Sequence, residues 1–194
     1  MKINAAAAVL LLTVPLSCAS VREVKRSSGE ALMYGMIYDG ENMSVQGVTV
    51  YVDGKAAASS DVQGRFILVS KKRNRLAVRL EKNGYESIET EVRFDPMEAL
   101  HFTLLNGSQL LGMAENAMEE SRYADAEELC GRVLNLERDR IEALFLRSLA
   151  LFRQRKADEA HYALEYLRSI TGDRSYIQTL LSAIKNLQEK EVRQ

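Results

Sequence analysis

A stretch from Leu110 to Ile170 repeats itself at a fixed offset, the one that carries Leu110 onto Leu144, and this period restricts the fold more than any other feature of the chain. At the same offset Ala126 recurs as Ala160, and Asp139-Arg140 as Asp173-Arg174. Conservative matches fill the frame: Ala114 with Ser148, Arg122 with Lys156, Val133 with Leu167, Leu136 with Ile170. A unit of this length cannot bury its apolar face alone and must stack on a neighbour.

Each unit reads as two helices. Leu110, Met113, Ala117 and then Ala126, Leu129, Val133, Leu136 keep helical spacing on either side of the polar break Glu119-Glu120-Ser121-Arg122. The second unit repeats the design around Arg153-Gln154-Arg155-Lys156. Asp139 and Asp173 are expected to N-cap the helices that follow them. Tyr176, Ile177, Leu180, Leu181, Ile184 and Leu187 form one apolar stripe, so residues 174–190 are expected to close the array as a capping helix.

Leu110, Ala114, Tyr123 and Ala126, with Leu144, Ser148, Leu151 and Ala160, resemble the tetratricopeptide repeat family, whose unit is a helix-turn-helix. The resemblance implies a protein partner held on the surface made by the first helix of each unit. Leu111, Phe145, Leu149 and Phe152 match such positions. Leu111 and Glu115 also stand where chaperone-binding repeats carry a clamp for a C-terminal carboxylate, so that ligand class is not expected.

Between Ala31 and Leu105 the period changes. Six short runs rich in β-branched and aromatic residues, among them Val48–Val52 and Leu76–Leu80, are separated by Asp39-Gly40, Asp53-Gly54, Gln63-Gly64 and Asn83-Gly84. Alternating runs bounded by such turn chemistry predict six or seven strands in an antiparallel sandwich. The motifs Gly35-Met36-Ile37-Tyr38-Asp39, Gly47-Val48-Thr49-Val50, Asp61-Val62-Gln63-Gly64-Arg65-Phe66 and Gly84-Tyr85 resemble the carboxypeptidase regulatory-like domain, which implies a transthyretin-like fold and a non-catalytic accessory role. A weaker likeness to PEGA domains implies much the same sandwich.

Lys2 precedes an apolar run, Ile3 to Leu16, that is too short for an ordinary membrane span and fits a bacterial export signal over residues 1–20. Leu16-Ser17-Cys18 resembles a lipoprotein processing site, which implies that Cys18 carries lipid; the alternative is ordinary cleavage after Ala19 and a soluble periplasmic protein. With only Cys18 and Cys130 in the chain, an unpaired cysteine in an exported protein is more natural when the first is lipidated. Residues 21–30 read as a tether. The expected architecture is α+β in separate domains: a small antiparallel β-sandwich over 31–106 followed by an all-α helical-hairpin repeat domain over 107–194.

A formal net charge of -1, with no basic face interleaved with aromatics, gives no reason to expect nucleic acid binding. His101 and His161 are the only histidines, no pair has metal-ligand spacing, and no phosphate loop or nucleophile motif occurs. The expectation is therefore a protein that is not an enzyme and needs neither cofactor nor metal. Lys71-Lys72-Arg73-Asn74-Arg75 reads as a solvated hairpin tip, with contact to an anionic envelope surface through Lys71, Lys72, Arg73 and Arg75 as its functional alternative. Two function classes follow: an envelope interaction module whose repeats hold a protein partner, or an accessory protein that reads carbohydrate or peptidoglycan with its sandwich. Against the second, the chain has no tryptophan, and Tyr34, Tyr38, Tyr51 and Tyr85 are explained by strand or turn packing.

Overall fold

The computed structural model describes residues 31–71 and 75–192. Seven strands come first: β1 (Ala31–Asp39), β2 (Thr49–Val52), β3 (Lys55–Ser59), β4 (Arg65–Ser70), β5 (Arg75–Glu81), β6 (Ile88–Arg93) and β7 (Leu100–Leu104). They form a three-stranded sheet in the order β4-β1-β7 and a four-stranded sheet in the order β3-β2-β5-β6. Five helices follow: α1 (Gly107–Glu119), α2 (Tyr123–Leu136), α3 (Ile141–Arg153), α4 (Ala157–Thr171) and α5 (Ser175–Val192).

The sandwich core comes from strict alternation. In β4, Phe66 and Leu68 point inward while Arg65, Ile67 and Val69 point out, and in β5 Leu76, Val78 and Leu80 are buried. These meet Met33 and Ile37 of β1, Val50 of β2 and Val48 just before it. Two features depart from the sequence expectation. The pair β1–β7 is parallel, Gly35 opposite Leu100, so the sandwich is not wholly antiparallel. The strand β3 was not expected, because Lys55-Ala56-Ala57-Ala58-Ser59 has low strand propensity; pairing with β2 across the tight Asp53-Gly54 turn holds it at a sheet edge.

The Asp61–Phe66 motif is a hydrogen-bonded turn. The Asp61 carboxylate accepts from the backbone N–H of Gln63 and of Arg65, each at 2.9 Å, and from Arg65 Nε at 3.0 Å. The Arg65 N–H bond, foremost among these, holds the Asp61 carboxyl below its usual range.

The helices form two hairpins whose turns are copies. Ser121 and Arg155, one repeat apart, both take a left-handed conformation, φ 60° and 62°. The next N–H closes each turn in the same way, Arg122 onto Ala117 O at 2.8 Å and Lys156 onto Leu151 O at 3.0 Å. Within the hairpins the small residues Ala126 and Ala160 are fully buried, which lets paired helices approach closely. The helical region is thus a repeated pair of helical hairpins.

The ends of the array are written in the helix faces. On α3, Ala143 and Ala150 pack back on the first hairpin, while Leu144, Ser148 and Leu151 meet α4. Shifted by one repeat, the backward seam becomes Ile177 and Ile184, both fully buried, and the forward seam becomes Gln178, Ser182 and Lys185, all exposed. The helix α5 therefore packs on the second hairpin, and its described forward positions offer no apolar seam to a third. On α1 the backward positions are Gln109 and Asn116, equally polar. Gln109 instead completes a capping box with Asn106 and accepts from Gly40 N–H at 3.4 Å, which ties α1 to the end of β1.

The expected Asp139 cap does not form. Arg140 is the N-cap of α3, without a side-chain bond, and the Asp139 carboxylate accepts from Tyr166 Oη at 2.7 Å instead. Asp173 lies 3.8 Å from Arg168 Nε.

Candidate functional site

Of the four residues expected to face a partner, three lie together on α3. Phe145, Leu149 and Phe152 recur at spacings of four and three, so they share one side of the helix. All three are half-buried. Phe145 meets the Tyr176 ring edge-on, centroids 5.3 Å apart, and Phe145 and Phe152 border the core formed with Leu180 and Leu181 of α5. Leu149 belongs to neither helical core. Leu111 does not join them: it is 7% exposed and packs in the first hairpin beside Leu110 and Leu129. The difference is one of neighbours: Leu111 is enclosed in the cluster of the first hairpin, with Leu105 packed against it, whereas Phe145 sits at the margin of the second cluster beside α5.

Tyr176, expected in the apolar stripe of the capping helix, lies against Phe145 and is 43% exposed at the open edge of the α3 stripe. Tyr176 stands one repeat after Glu142, on the same turn of its helix as the start of the α3 stripe. Together Phe145, Leu149, Phe152 and Tyr176 make an aromatic and aliphatic strip with no carboxylate, imidazole or thiol in it.

The basic loop is only partly described. Lys71 is exposed, and Arg75 lies 3.4 Å from Glu91, both side chains well solvated. Lys72 and Arg73 lie outside the described residues, as does Cys18. Ala31 pairs with Ser70, so the loop leaves β4 beside the point where the preceding chain enters β1.

A second apolar surface was not expected at all. Tyr34, read from the sequence as packed, is 53% exposed on the outer face of β1, with its strand partner Ile67 at 42% and Val69 beyond it. Together with Met36, Arg65 and Ala99, Tyr34 and Ile67 line a cavity of about 740 Å³. The run Phe66-Ile67-Leu68-Val69 is apolar at every position, and such a run does not reveal which side faces solvent.

Charged groups in the helical region serve as framework. Arg132 on α2 grips Glu86 of the β region through Nε at 2.9 Å and Nη2 at 2.6 Å, a bidentate pair that joins the two regions. Burial desolvates Glu127 and raises its pKa, but hydrogen bonds from Lys156 and Gln154 outweigh this and leave it lowered, hence ionised as a staple between the hairpins. Cys130 is fully buried, and desolvation pushes its thiol up to about 12, so no thiolate is present at neutral pH. Both histidines are exposed, and no group of three or more His, Cys, Asp or Glu among the described residues is placed to hold a metal ion.

No protein-family model and no curated protein sequence matches the chain. Among solved structures, the first tetratricopeptide repeat domain of Spaghetti, bound to an HSP90 peptide, is similar at 21% identity with a TM-score of 0.42, covering 43% of this chain and 67% of that one. A type II cohesin–X-dockerin complex from Acetivibrio cellulolyticus is similar at 19% identity, TM-score 0.35, over 42% of this chain and 62% of that one. The third is 3-chlorocatechol 1,2-dioxygenase from Rhodococcus opacus 1CP, at 17% identity and TM-score 0.32, over 43% of this chain and 62% of that one.

Proposed function

We propose that this chain is a non-enzymatic, envelope-anchored lipoprotein whose helical hairpins hold a protein partner, with the β-sandwich as spacer and docking domain. The observation that carries the reading is the α3 strip. Leu110, Leu151, Leu164 and Leu167 complete the helical cores at 0 to 1% exposure, yet Phe145, Leu149, Phe152 and Tyr176 remain partly in water. Large apolar side chains left over after the core is filled mark an interaction surface. Leu149→Ala should lower stability by less than about 1 kcal/mol, because its side chain fills neither core. Capture of the partner from native membranes should fall by about tenfold or more, as for a central anchor. Phe145→Ala and Phe152→Ala, measured in parallel, decide the alternative: a stability loss of about 3 kcal/mol or more in both, with capture by Leu149→Ala intact, would assign the strip to the core.

Membrane attachment rests on the sequence around Cys18 and on the adjacency of the tether entry at Ala31 to the basic loop after Ser70. An acyl chain at Cys18 would hold that end of the sandwich at the bilayer, where Lys71, Lys72, Arg73 and Arg75 reach anionic headgroups. Cys18→Ser should abolish incorporation of labelled fatty acid and release the protein from the membrane fraction. Absence of label in the wild-type protein would overturn the anchor without touching the partner strip.

A further inference from the structure

We infer that the free edge of β4 is an interface with a second copy of this chain, the two β4 strands pairing antiparallel about Leu68. The register of β1 on β4 fixes where each backbone group points. Ile37 N–H donates to Gly64 O at 2.9 Å, so this pair, next in the register after Met36 and Arg65, is hydrogen-bonded. In an antiparallel ladder bonded pairs alternate with unbonded ones. Gly35–Phe66, Met33–Leu68 and Ala31–Ser70 are therefore bonded, whereas Arg65, Ile67 and Val69 turn their N–H and C=O away from β1. Arg65 agrees: outside the sheet its N–H meets the Asp61 carboxylate and its carbonyl accepts from Asp61 N–H, both at 2.9 Å. Among the described residues nothing takes the corresponding groups of Ile67 and Val69.

This edge is also undefended. Sheet edges are usually blunted by charge, proline or a bulge. At the other edges, β6 carries Glu89, Glu91 and Arg93, β3 has Lys55 and a register shift against β2, and the chain leaving β7 is met by Tyr85, bridged to Asn106. Between Arg65 and Ser70, β4 has only Phe66, Ile67, Leu68 and Val69, with Ile67 and Val69 exposed beside Tyr34. The cavity lined by Tyr34 and Ile67 continues round this edge to Ser59 of β3, so the edge opens on space.

The edge is complementary to itself. With a twofold axis at Leu68, Ile67 stands opposite Val69 of the second copy, and Val69 opposite its Ile67. Both are bonded pairs, so every free N–H and C=O of these residues on both strands finds a partner. The same register sets β-branched side chains against each other on the outer face. A slip that placed Ile67 opposite itself would put Val69 against Arg65, whose backbone groups Asp61 already holds. That turn also ends the ladder, so the contact is short and the dimer weak. Arg65 faces Lys71 of the second copy, a like-charge pair that salt would screen. The two Ala31 ends point opposite ways, but residues 21–30 reach about 33 Å against about 20 Å for β4, so both copies can share a bilayer.

Sedimentation equilibrium of the full chain should show a dimer with a Kd of about 0.1 mM, tighter when salt is raised. Exchange of the Ile67 and Val69 amides should slow as chain concentration rises, while the Leu68 amide, already bonded to β1, should not respond. Val69→Pro removes an N–H that the β1 ladder does not use and should weaken the dimer about tenfold or more. Ile67→Lys, at a side chain 42% exposed, should do the same with the fold intact, and Val69→Thr should leave the dimer in place. A monomer up to ~1 mM, or a dimer indifferent to both Val69→Pro and Ile67→Lys, would overturn the proposal. So would Ile67 and Val69 amides protected equally at every concentration, because the chain would then cover its own edge. Protection of a monomer only on adding a valine-rich peptide would make the occupant a foreign strand and overturn it too.

Discussion

Gly64→Ala should destabilise the sandwich by about 3 kcal/mol or more, and Gly47→Ala, at the same backbone angle, by about 1 kcal/mol. Both glycines sit at φ +73°, a left-handed conformation that any L side chain resists. Around Gly47 a methyl group would meet nothing within 4 Å, so only the backbone cost remains. At Gly64 the same methyl would lie 2.3 Å from Ile37 O and 3.2 Å from Val45 N. That carbonyl accepts from Val45 N–H at 3.0 Å, and Ile37 N–H donates back to Gly64 O at 2.9 Å. Relieving the clash therefore means moving the backbone of β1 away from both partners, at about 1 kcal/mol for each hydrogen bond weakened, more if a buried group is left unpaired. Urea unfolding of the two variants separates the terms, since they share the conformational cost and differ in the clash. Equal midpoints would show that the turn yields freely and that Gly64 is there for its φ alone.

The same turn shows what kind of structure the sequence makes legible. Asp61, Gly64 and Phe66 each perform a local task, the first accepting backbone N–H bonds, the second adopting φ > 0, the third entering the core, so their spacing alone announces the turn. Period is equally readable: the offset from Leu110 to Leu144 locates both helix breaks and both buried alanines. What was not legible depends on tertiary neighbours. The alanines of β3 become a strand because β2 offers an edge, against their own propensity. Asp139 looks like a cap until Tyr166, far along the chain on α4, claims its carboxylate. Leu111 and Phe145 occupy equivalent repeat positions, yet the first is enclosed and the second half open, because the helices beside them differ. The β1–β4 outer face is hidden for a related reason, since an unbroken apolar run carries no inside and outside. Surfaces are therefore the weakest part of the sequence reading: a binding site on a repeat is whatever its neighbours leave uncovered.

Removing the seam that fixes α5 should melt the second hairpin before the first. Ile177 and Ile184 are fully buried and are the positions by which α5 packs on the core of α3 and α4. Truncation of a buried isoleucine to alanine costs about 2 to 5 kcal/mol, so Ile177→Ala and Ile184→Ala should each shift the urea midpoint of the helical region down by about 1 to 2 M. In a linear array each unit is stabilised by its own packing and by nearest neighbours, and the loss should appear first where α5 makes contact. Hydrogen exchange should accelerate in α4 and α3 ahead of α2 and α1, because Arg132–Glu86 and the Asn106–Gln109 capping box still hold the first hairpin. Gln178→Ala and Ser182→Ala, on the exposed forward face of the same helix, serve as the comparison and should stay within about 0.5 kcal/mol of wild type. The outcome bears on the α3 strip too, since Tyr176 and the edge of Phe145 are held in place by this helix. A uniform acceleration over all five helices would mean that the hairpins unfold as one cooperative unit; a midpoint unchanged in both isoleucine variants would mean that α5 does not cap the array.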